Sequence, residues 1–342
     1  MRTPTRFAAL ALGLASSGLM AQEVTLKVSH FLPPNSNYQK LVLEPWCAKL
    51  ATDSGNKLRC QIYPAMQLGG TPPQLVDQVK NGVADIIWTS PSYSTGRFPY
   101  TEALEQPFVV PAGGLAGSKA MWAYYTQFGT KDYADFKMLA MFSGSGVIFS
   151  TANKPLLGLD SFKGVKLRSS SRAAAKLVTS LGGSPVNMPP AQITEAISKG
   201  VVDGAVATWE LVPAVKLEEV AKYHMEGLPN QPGFTANPLV MLMNKQKYEN
   251  LSAELKAVID KHSGLPLVEL AGNAWDTATV DARKRTNAAG NKTLVIKPED
   301  YEAIRKASAS VELEWAKEVA PKGLDGAALI KQARAIGAQH LK

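Results

Sequence analysis

Apolar residues recur along the chain in two patterns, and together these patterns predict an α/β fold. Residues 24–29 alternate apolar and polar side chains, while residues 201–206 are rich in valine. These segments are typical of a half-buried strand and a buried strand, respectively. Residues 41–50 and 265–289 instead space their apolar side chains as an amphipathic helix does. Further strands are expected at residues 58–63, 137–142, 238–243 and 293–296.

The segment from residue 162 to residue 210 is the most informative part of the chain. A short apolar run after Gly164 ends at Arg168, and a helical stretch over residues 172–181 follows it. Pro189-Pro190 then starts a second helix, and the valine-rich strand after it ends at Thr208 and Trp209. Two strand ends therefore carry a guanidinium and an indole. That combination suits an organic carboxylate.

The same pattern occurs earlier in the chain. Residues 72–90 match residues 189–209, because in each copy prolines start a helix, a glycine ends it and an apolar strand follows. The exits also match: Gly82-Val83-Ala84-Asp85 corresponds to Gly200-Val201-Val202-Asp203. Many α/β units share this outline, which leaves coincidence as the alternative. We prefer two lobes of like topology, each pointing a strand end at a shared cleft.

Three sequence motifs carry a resemblance to a known family: the run FKGVKLR, the run LGGSPVNMP and the run SKGVVDG. Together they resemble the solute-binding proteins of tripartite ATP-independent periplasmic (TRAP) transporters, the DctP-like family. The resemblance extends over nearly the whole mature chain. It implies a two-lobed periplasmic-binding-protein-like fold with mixed sheets, a hinge of crossing strands and a long lobe-spanning helix. It also implies that Arg168 binds the carboxylate of the ligand.

The chain departs from the family pattern at two places. Many members have a second arginine on the hinge strand, where this chain has Val147. Many also have asparagine on the strand after the Asp-Gly pair, where this chain has the run 205–209, Ala-Val-Ala-Thr-Trp. Both changes make the expected pocket less polar. Acids with many hydroxyl groups are therefore less favoured as ligands.

The expected domain division follows from the crossing strands. Residues 1–21 form a signal peptide, residues 22–146 and 233–272 form lobe I, and residues 147–232 and 273–342 form lobe II. Gly144 and Gly146 lie at the first crossing, where we expect them to give hinge freedom.

Other candidate pocket residues fall at strand ends or near the hinge: Phe31, Trp88, Tyr93, Phe142, Thr208, Trp209, Phe234 and Asn237. Several positions have a structural alternative. Trp88 also fits a core position, His30 fits a structural cap, and Arg97 fits a residue that ties down its own loop. For Arg168 the alternative is an internal salt bridge to Asp160 or Asp203.

Composition and charge narrow the function classes. The chain is 45% hydrophobic, so it is globular, and its formal net charge is +8, or +6 without Arg2 and Arg6 of the leader. The densest basic run, residues 283–285, is expected to be a solvated helix face. No basic patch is interleaved with stacking aromatics, so nucleic-acid binding is not expected.

The N-terminal segment predicts export to the periplasm. Arg2 and Arg6 precede an apolar stretch that is too short for a membrane span, and Ala21 is the expected cleavage position. Cys47 and Cys60 are the only cysteines, and an oxidising compartment favours a disulfide over two free thiols. No histidine stands at ligand spacing from either cysteine, so no metal site is expected.

No catalytic motif was found in the sequence, and none of its four histidines has a nearby nucleophile partner. Asp203 and Glu210 are too far apart along one strand for acid–base work. We therefore expect no enzyme and no cofactor, but a monomeric periplasmic binding protein that delivers an organic acid to a TRAP-type permease. The alternatives are a binding protein of an ATP-driven (ABC-type) transporter and, less favoured, a periplasmic enzyme acting on a carboxylic acid.

Overall fold

A computed structural model describes residues 23–341 of the chain. Its strands are Val24–His30 (β1), Leu58–Tyr63 (β2), Ile86–Thr89 (β3), Phe136–Ser143 (β4), Val147–Thr151 (β5), Lys166–Ser169 (β6), Ser184–Asn187 (β7), Gly204–Thr208 (β8), Tyr223–Glu226 (β9), Pro238–Asn244 (β10) and Lys292–Val295 (β11). Its α-helices are Glu44–Asp53 (α1), Leu75–Lys80 (α2), Gly114–Tyr124 (α3), Arg172–Ser180 (α4), Ile193–Ser198 (α5), Leu211–Ala214 (α6), Leu217–Val220 (α7), Lys245–Glu249 (α8), Ala253–Lys261 (α9), Leu265–Ala288 (α10), Pro298–Ala307 (α11), Ala309–Val319 (α12) and Gly326–Gln339 (α13).

The strands form two mixed sheets. The first has the order β2-β1-β3-β10-β4, with β1 parallel to β2 and β3, and β10 antiparallel to both of its neighbours. The second has the order β11-β9-β5-β8-β6-β7, with β6 parallel to β7 and β8, and β5 antiparallel to β8 and β9. The predicted two-lobed α/β fold with mixed sheets is confirmed.

The internal repeat is present in three dimensions. In each copy a proline-initiated turn leads into a short helix, α2 or α5, and a glycine with positive φ ends it before the strand. Asp85 Oδ2 accepts a 2.8 Å hydrogen bond from the backbone N–H of Lys27, and Asp203 Oδ2 accepts one of 2.8 Å from Lys166. The two aspartates thus bind the neighbouring strand in the same way. The Gly-Val-x-Asp exit is a structural device that fixes one strand against the next.

Two features join the lobes, and both match the predicted hinge. The chain crosses from β4 to β5 through residues 144–146, where a Cβ on Gly146 would lie 2.6 Å from the Ala112 carbonyl oxygen. This close approach of two backbones requires glycine. Helix α10 begins against the core of the first sheet through Leu267 and Trp275, and Ala282 near its end packs in a core cluster of the second. The helix therefore spans both lobes.

The last two helices, α12 and α13, pack on the first lobe. Trp315 of α12 and Ile330 of α13 belong to the same apolar cluster as Val109, Met121 and Val240. The sequence-based division placed residues 273–342 in lobe II. The apolar faces of α12 and α13 are buried against the first-lobe core, whereas α11 packs in a second-lobe cluster through Tyr301 and Ile304, so the division itself stays a prediction.

Cys47 of α1 and Cys60 of β2 form a disulfide with a Cα–Cα distance of 5.8 Å, as predicted. Within residues 23–341, no helix has both the length and the apolar character needed to cross a membrane. The expected signal peptide, residues 1–21, lies outside the described residues.

Candidate ligand-binding site

A cavity lies between the two lobes, at the carboxyl ends of β1 and β3 on one side and of β6 and β8 on the other. Its walls combine apolar and aromatic side chains with a few polar groups, which is the usual character of a small-molecule site. Six predicted residues line it, namely Phe31, Trp88, Tyr93, Arg168, Thr208 and Asn237, together with Leu32, Val147, Ser170, Pro190, Val206, Ala207, Glu210, Leu211 and Leu239.

Arg168 is the buried cation of this cavity. Its residue surface is only 1% exposed, Nε donates to the Met188 carbonyl at 3.0 Å and Nη1 donates to the Val206 carbonyl at 3.1 Å. Nη2 is buried and has no hydrogen-bond partner among residues 23–341. Burial lowers the pKa of Arg168 below its ordinary value, while the adjacent Tyr93 hydroxyl opposes that shift. An arginine keeps its charge in proteins, so this is a desolvated cation with one donor group left over.

The structural alternative for Arg168 is not present. Asp160 forms its ion pair with Lys163 at 2.7 Å, and Asp203 accepts from the backbone of Lys166. Neither carboxylate reaches the guanidinium. No salt bridge of Arg168 to any acidic residue occurs within the described part of the chain. A buried guanidinium without a carboxylate partner is an expensive arrangement unless an anion arrives from outside.

The other two arginines that were considered as acid binders are already paired. Arg97 Nη1 lies 2.7 Å from Asp77 Oδ1, which makes it a residue that ties down its loop. Arg172 contacts Glu102 at 3.0 Å and Glu318 at 2.9 Å. Neither residue lines the cavity that contains Arg168.

Stacked aromatic rings form one wall of the cavity. Phe31 stacks on Trp88 with ring centroids 4.9 Å apart and an interplanar angle of 5°, and Tyr93 meets the Phe31 ring edge-on at 5.5 Å. Tyr38 stacks on Trp88 at 3.8 Å. Offset and edge-to-face contacts hold such rings firmly. Trp88 thus lies between the rings of Phe31 and Tyr38, and the positions of these rings are fixed by their mutual contacts. Behind this wall, His30 Nε2 donates a 3.1 Å hydrogen bond to Gln39 Oε1, and burial lowers the pKa of His30 to about 4. His30 is therefore a neutral structural residue.

Sequence reasoning missed Glu210, the acidic residue among those that line the cavity. Thr208 Oγ1 donates to its Oε1 at 2.6 Å, and the Ser145 backbone N–H donates to its Oε2 at 3.1 Å, with the Ser145 hydroxyl donating to the same oxygen. Burial raises the pKa of Glu210, and these hydrogen bonds oppose the rise. From the sequence, Glu210 was evaluated only as one half of a catalytic carboxylate pair with Asp203. The two-residue period of a strand was the available signal, since it puts position 210 on the side of Thr208.

Three predicted pocket residues lie elsewhere. Trp209 packs with Ala205 and Val212 in a core cluster outside the cavity, because strand side chains alternate between faces. Its indole Nε1 donates to Glu226 at 3.2 Å. Phe142 is in the first-lobe core, 6.4 Å from the Trp275 ring, and Phe234 packs edge-on to Phe149 in the second-lobe core. These corrections leave one tryptophan, not two, in the cavity.

Comparison with known proteins identifies the family. The model of the family "Bacterial extracellular solute-binding protein, family 7" (DctP) matches residues 28–318. Among solved structures, a TRAP solute-binding protein from a marine metagenome, described as specific for aromatic acid ligands and crystallised with 3-hydroxybenzoate, is 40% identical with a TM-score of 0.91. It covers 94% of this chain and 100% of that one.

Two further structures are similar over nearly their full length. A TRAP solute-binding protein from Rhodoferax ferrireducens T118, with copurified benzoate, is 36% identical with a TM-score of 0.89, covering 93% of this chain and 98% of that one. A TRAP periplasmic solute-binding protein from Bordetella bronchiseptica, with bound mandelate, is 26% identical with a TM-score of 0.83. The match covers 92% of this chain and 99% of that one. The chain belongs to the DctP family of TRAP-transporter solute-binding proteins.

Proposed function

We propose that this protein captures an aromatic monocarboxylate in the periplasm and delivers it to a TRAP-type permease. One observation carries the proposal: the buried Nη2 of Arg168 has no partner among residues 23–341. A ligand carboxylate would accept from this group and neutralise the desolvated charge. A guanidinium binds both oxygens of a carboxylate in a fixed fork, which also fixes the orientation of the ligand.

The aromatic part of the proposal rests on the cavity walls. Phe31 and Trp88 present stacked rings, and Leu239 and Val147 add apolar surface. Val147 stands where many family members have a second arginine, so only one strong anion site remains. A single carboxylate on a ring uses both features. The relatives that contain 3-hydroxybenzoate and benzoate support this choice.

Capture follows from the division of the site between the lobes. Phe31, Trp88, Tyr93 and Asn237 come from lobe I, whereas Arg168, Thr208 and Glu210 come from lobe II. A ligand that contacts both walls binds the closed conformation more tightly than the open one. It therefore shifts the population toward closure about the crossing strands.

The remaining parts of the proposal concern location and partners. The leader directs export and is cleaved near Ala21, and the mature protein acts as a monomer that docks on the permease. Family membership favours this partner over an ATP-driven transporter. Capture without turnover fits the relatives, which are solute-binding proteins.

The experiment is calorimetry with benzoate and 3-hydroxybenzoate on the wild type, Arg168→Ala and Arg168→Lys. Loss of one partner of a desolvated charge pair costs roughly 2–5 kcal/mol, so Arg168→Ala should weaken binding by about one and a half to three and a half decades. Lysine cannot reproduce the fork and should restore only part of this loss.

Arg97→Ala is the control, because Arg97 is paired with Asp77 away from the cavity. It should bind like the wild type. A loss of less than about fivefold in folded Arg168→Ala, well under the tenfold that about 1.4 kcal/mol represents, would place the carboxylate elsewhere. Mass spectrometry of the ligand that copurifies with the protein and is released by mild denaturation gives an independent identification.

A further inference from the structure

The cavity contains two buried charges that do not pair with each other. The Arg168 guanidinium binds the backbone carbonyls of Met188 and Val206, and the Glu210 carboxylate binds Ser145 and Thr208. Both residues line the same cavity, and no ion pair joins them. If Arg168 takes the ligand carboxylate, as the proposed function requires, Glu210 is left as a second negative group facing the same ligand.

The hydrogen bonds of Glu210 leave one acceptor position open. Oε2 accepts from both the backbone N–H and the hydroxyl of Ser145, whereas Oε1 accepts from Thr208 alone. A carboxylate has about four lone-pair positions, two on each oxygen. Oε1 therefore has an unused lone pair, and the residue lines the cavity. A Cβ on Gly144 would lie 3.0 Å from Oε1, so the hinge segment limits its other approaches.

Arg168 and Glu210 are anchored to two points on β8 whose spacing suits a ring. Arg168 is tied to the carbonyl of Val206, and Glu210 is tied to the hydroxyl of Thr208, two residues further along the same strand. At about 3.3 Å per residue, these anchors are roughly 7 Å apart. A benzene ring with a carboxylate on one side and a hydroxyl on the other spans a similar length.

We propose that Oε1 of Glu210 accepts a hydrogen bond from a ring hydroxyl of the ligand, so that the site selects hydroxylated aromatic monocarboxylates. This inference rests on the proposed function and narrows its substrate class. A hydroxyl donor compensates the buried carboxylate, whereas an unsubstituted ring leaves it facing carbon. A methoxy group at the same position has no proton to donate and meets the carboxylate as a second acceptor.

The test is a series of ligands measured by calorimetry on the folded wild-type protein: benzoate, 3- and 4-hydroxybenzoate, and 3- and 4-methoxybenzoate. Hydrogen bonds to charged groups contribute roughly 1.5–3 kcal/mol, which corresponds to about ten- to a hundredfold in affinity. One of the two hydroxybenzoates should bind at least about tenfold more tightly than both benzoate and its own methoxy analogue. Equal affinities across the series would overturn the inference.

Glu210→Gln gives the sharper comparison. The Ser145 N–H keeps the amide oxygen on its side, so the amide NH₂ replaces Oε1 and turns an acceptor into a donor. The preference for hydroxy over methoxy should fall to less than about threefold, while benzoate still binds. A preference that survives in Glu210→Gln contradicts the inference, as does an equal loss of every ligand by the folded variant.

Glu226→Gln is the matched control, since Glu226 is a similarly buried carboxylate of the second lobe that binds Arg283 and Trp209 outside the cavity. It should keep the wild-type preference. Failure of the proposed function has a different signature: no aromatic acid would bind the wild type, or Arg168→Ala would bind them unchanged. The inference about Glu210 fails when aromatic acids bind through Arg168 but the ring hydroxyl makes no difference.

Discussion

Arg172 Nη2 lies 3.0 Å from Glu102 Oε2, and this ion pair joins α4 of lobe II to the 3₁₀ turn Thr101–Glu105 of lobe I. The Trp315 indole donates to the same Glu102 oxygen at 2.9 Å, and Glu318 of α12 adds a second partner for Arg172. Ion pairs of Arg172 therefore connect the two lobes at a place outside the cavity. The two Arg172 pairs cross from lobe II to lobe I, so we expect them to break when the lobes open.

Arg172→Ala should weaken ligand binding although Arg172 does not line the cavity. The variant removes two ion pairs that cross between the lobes, so we expect closure to become less favourable. Because Arg172 is partly exposed, each pair contributes little, and we expect a loss of about three- to tenfold. The salt dependence of the affinity should also decrease, because screening acts on these pairs. Calorimetry at low and high salt measures both effects.

Lys163→Ala is the matched control, since its exposed pair with Asp160 lies within lobe II. It should leave both the affinity and its salt dependence unchanged. If Arg172→Ala behaves like this control, the ion pairs between the lobes make no contribution to closure.

Phe31→Leu should lower the affinity for aromatic acids while preserving most of the apolar surface. The substitution removes the ring that stacks on Trp88 at 4.9 Å. Aromatic pairing contributes about 0.5–1.5 kcal/mol beyond the area buried, so a loss of roughly two- to tenfold is expected. The change in tryptophan fluorescence on ligand addition should decrease in parallel. A ligand that binds the variant as tightly as the wild type would show that its ring does not use this wall.

The sequence predicted which strand ends form the site better than it predicted which side chains line it. Arg168 was found because its strand follows a glycine turn and ends at a cleft, which is a local pattern. Trp209 was misplaced and Glu210 was missed for a common reason: the end of β8 was located, but not which of its side chains face the cleft. Face assignment depends on the register of β8 against β5 and β6, and register is a tertiary property.

Two strands were also not predicted from the sequence, for related reasons. β7 contains Pro185 and has only β6 as a neighbour, and proline is tolerated on such an edge although it weakens the strand pattern. β9 contains His224 and Glu226, which break its apolar run. His224 is nevertheless fully buried and bonds Ser150 at 2.9 Å. Pairing with neighbouring strands, rather than intrinsic pattern, determines both elements.

Glu105 should make the protein less stable as the pH rises. Burial, with a contribution from nearby Glu102, raises the pKa of Glu105 from 4.5 to about 8, while Ser92, Ser171 and Arg172 oppose the shift. The folded protein therefore binds more protons than the unfolded chain between these pH values, and its stability falls as the pH rises through that window. His30 and His224 act in the opposite sense. Burial lowers the pKa of each from 6.5 to about 4, which confines their effect on stability to the range below pH 6.5.

Thermal unfolding between pH 6.5 and 8 isolates the contribution of Glu105. Each pKa unit corresponds to about 1.4 kcal/mol, so the wild type should lose up to roughly 2 kcal/mol across this window. Glu105→Gln cannot ionise and should be more stable than the wild type at the upper end. Glu195→Gln, an exposed residue paired with Lys199, is the control and should follow the wild type. Parallel stability curves for wild type and Glu105→Gln would contradict the expectation.

The Cys47–Cys60 disulfide should stabilise lobe I without affecting ligand binding. It joins α1 to β2, an edge strand with β1 as its neighbour in the sheet, and neither cysteine lines the cavity. The closed loop spans 13 positions, and a loop of this size contributes about 3 kcal/mol in the chain-entropy model. The double variant Cys47→Ala/Cys60→Ala should therefore melt several degrees lower and bind its acid with an affinity within twofold of the wild type.

Reduction of the wild type should reproduce the shift in melting temperature, and reduction of the double variant should not change it further. An unchanged melting temperature without the bridge would show that the packing of α1 and β2 alone stabilises this edge of the sheet. A loss of affinity in the double variant would show instead that the change in lobe I reaches the cavity through β1, which ends next to Phe31.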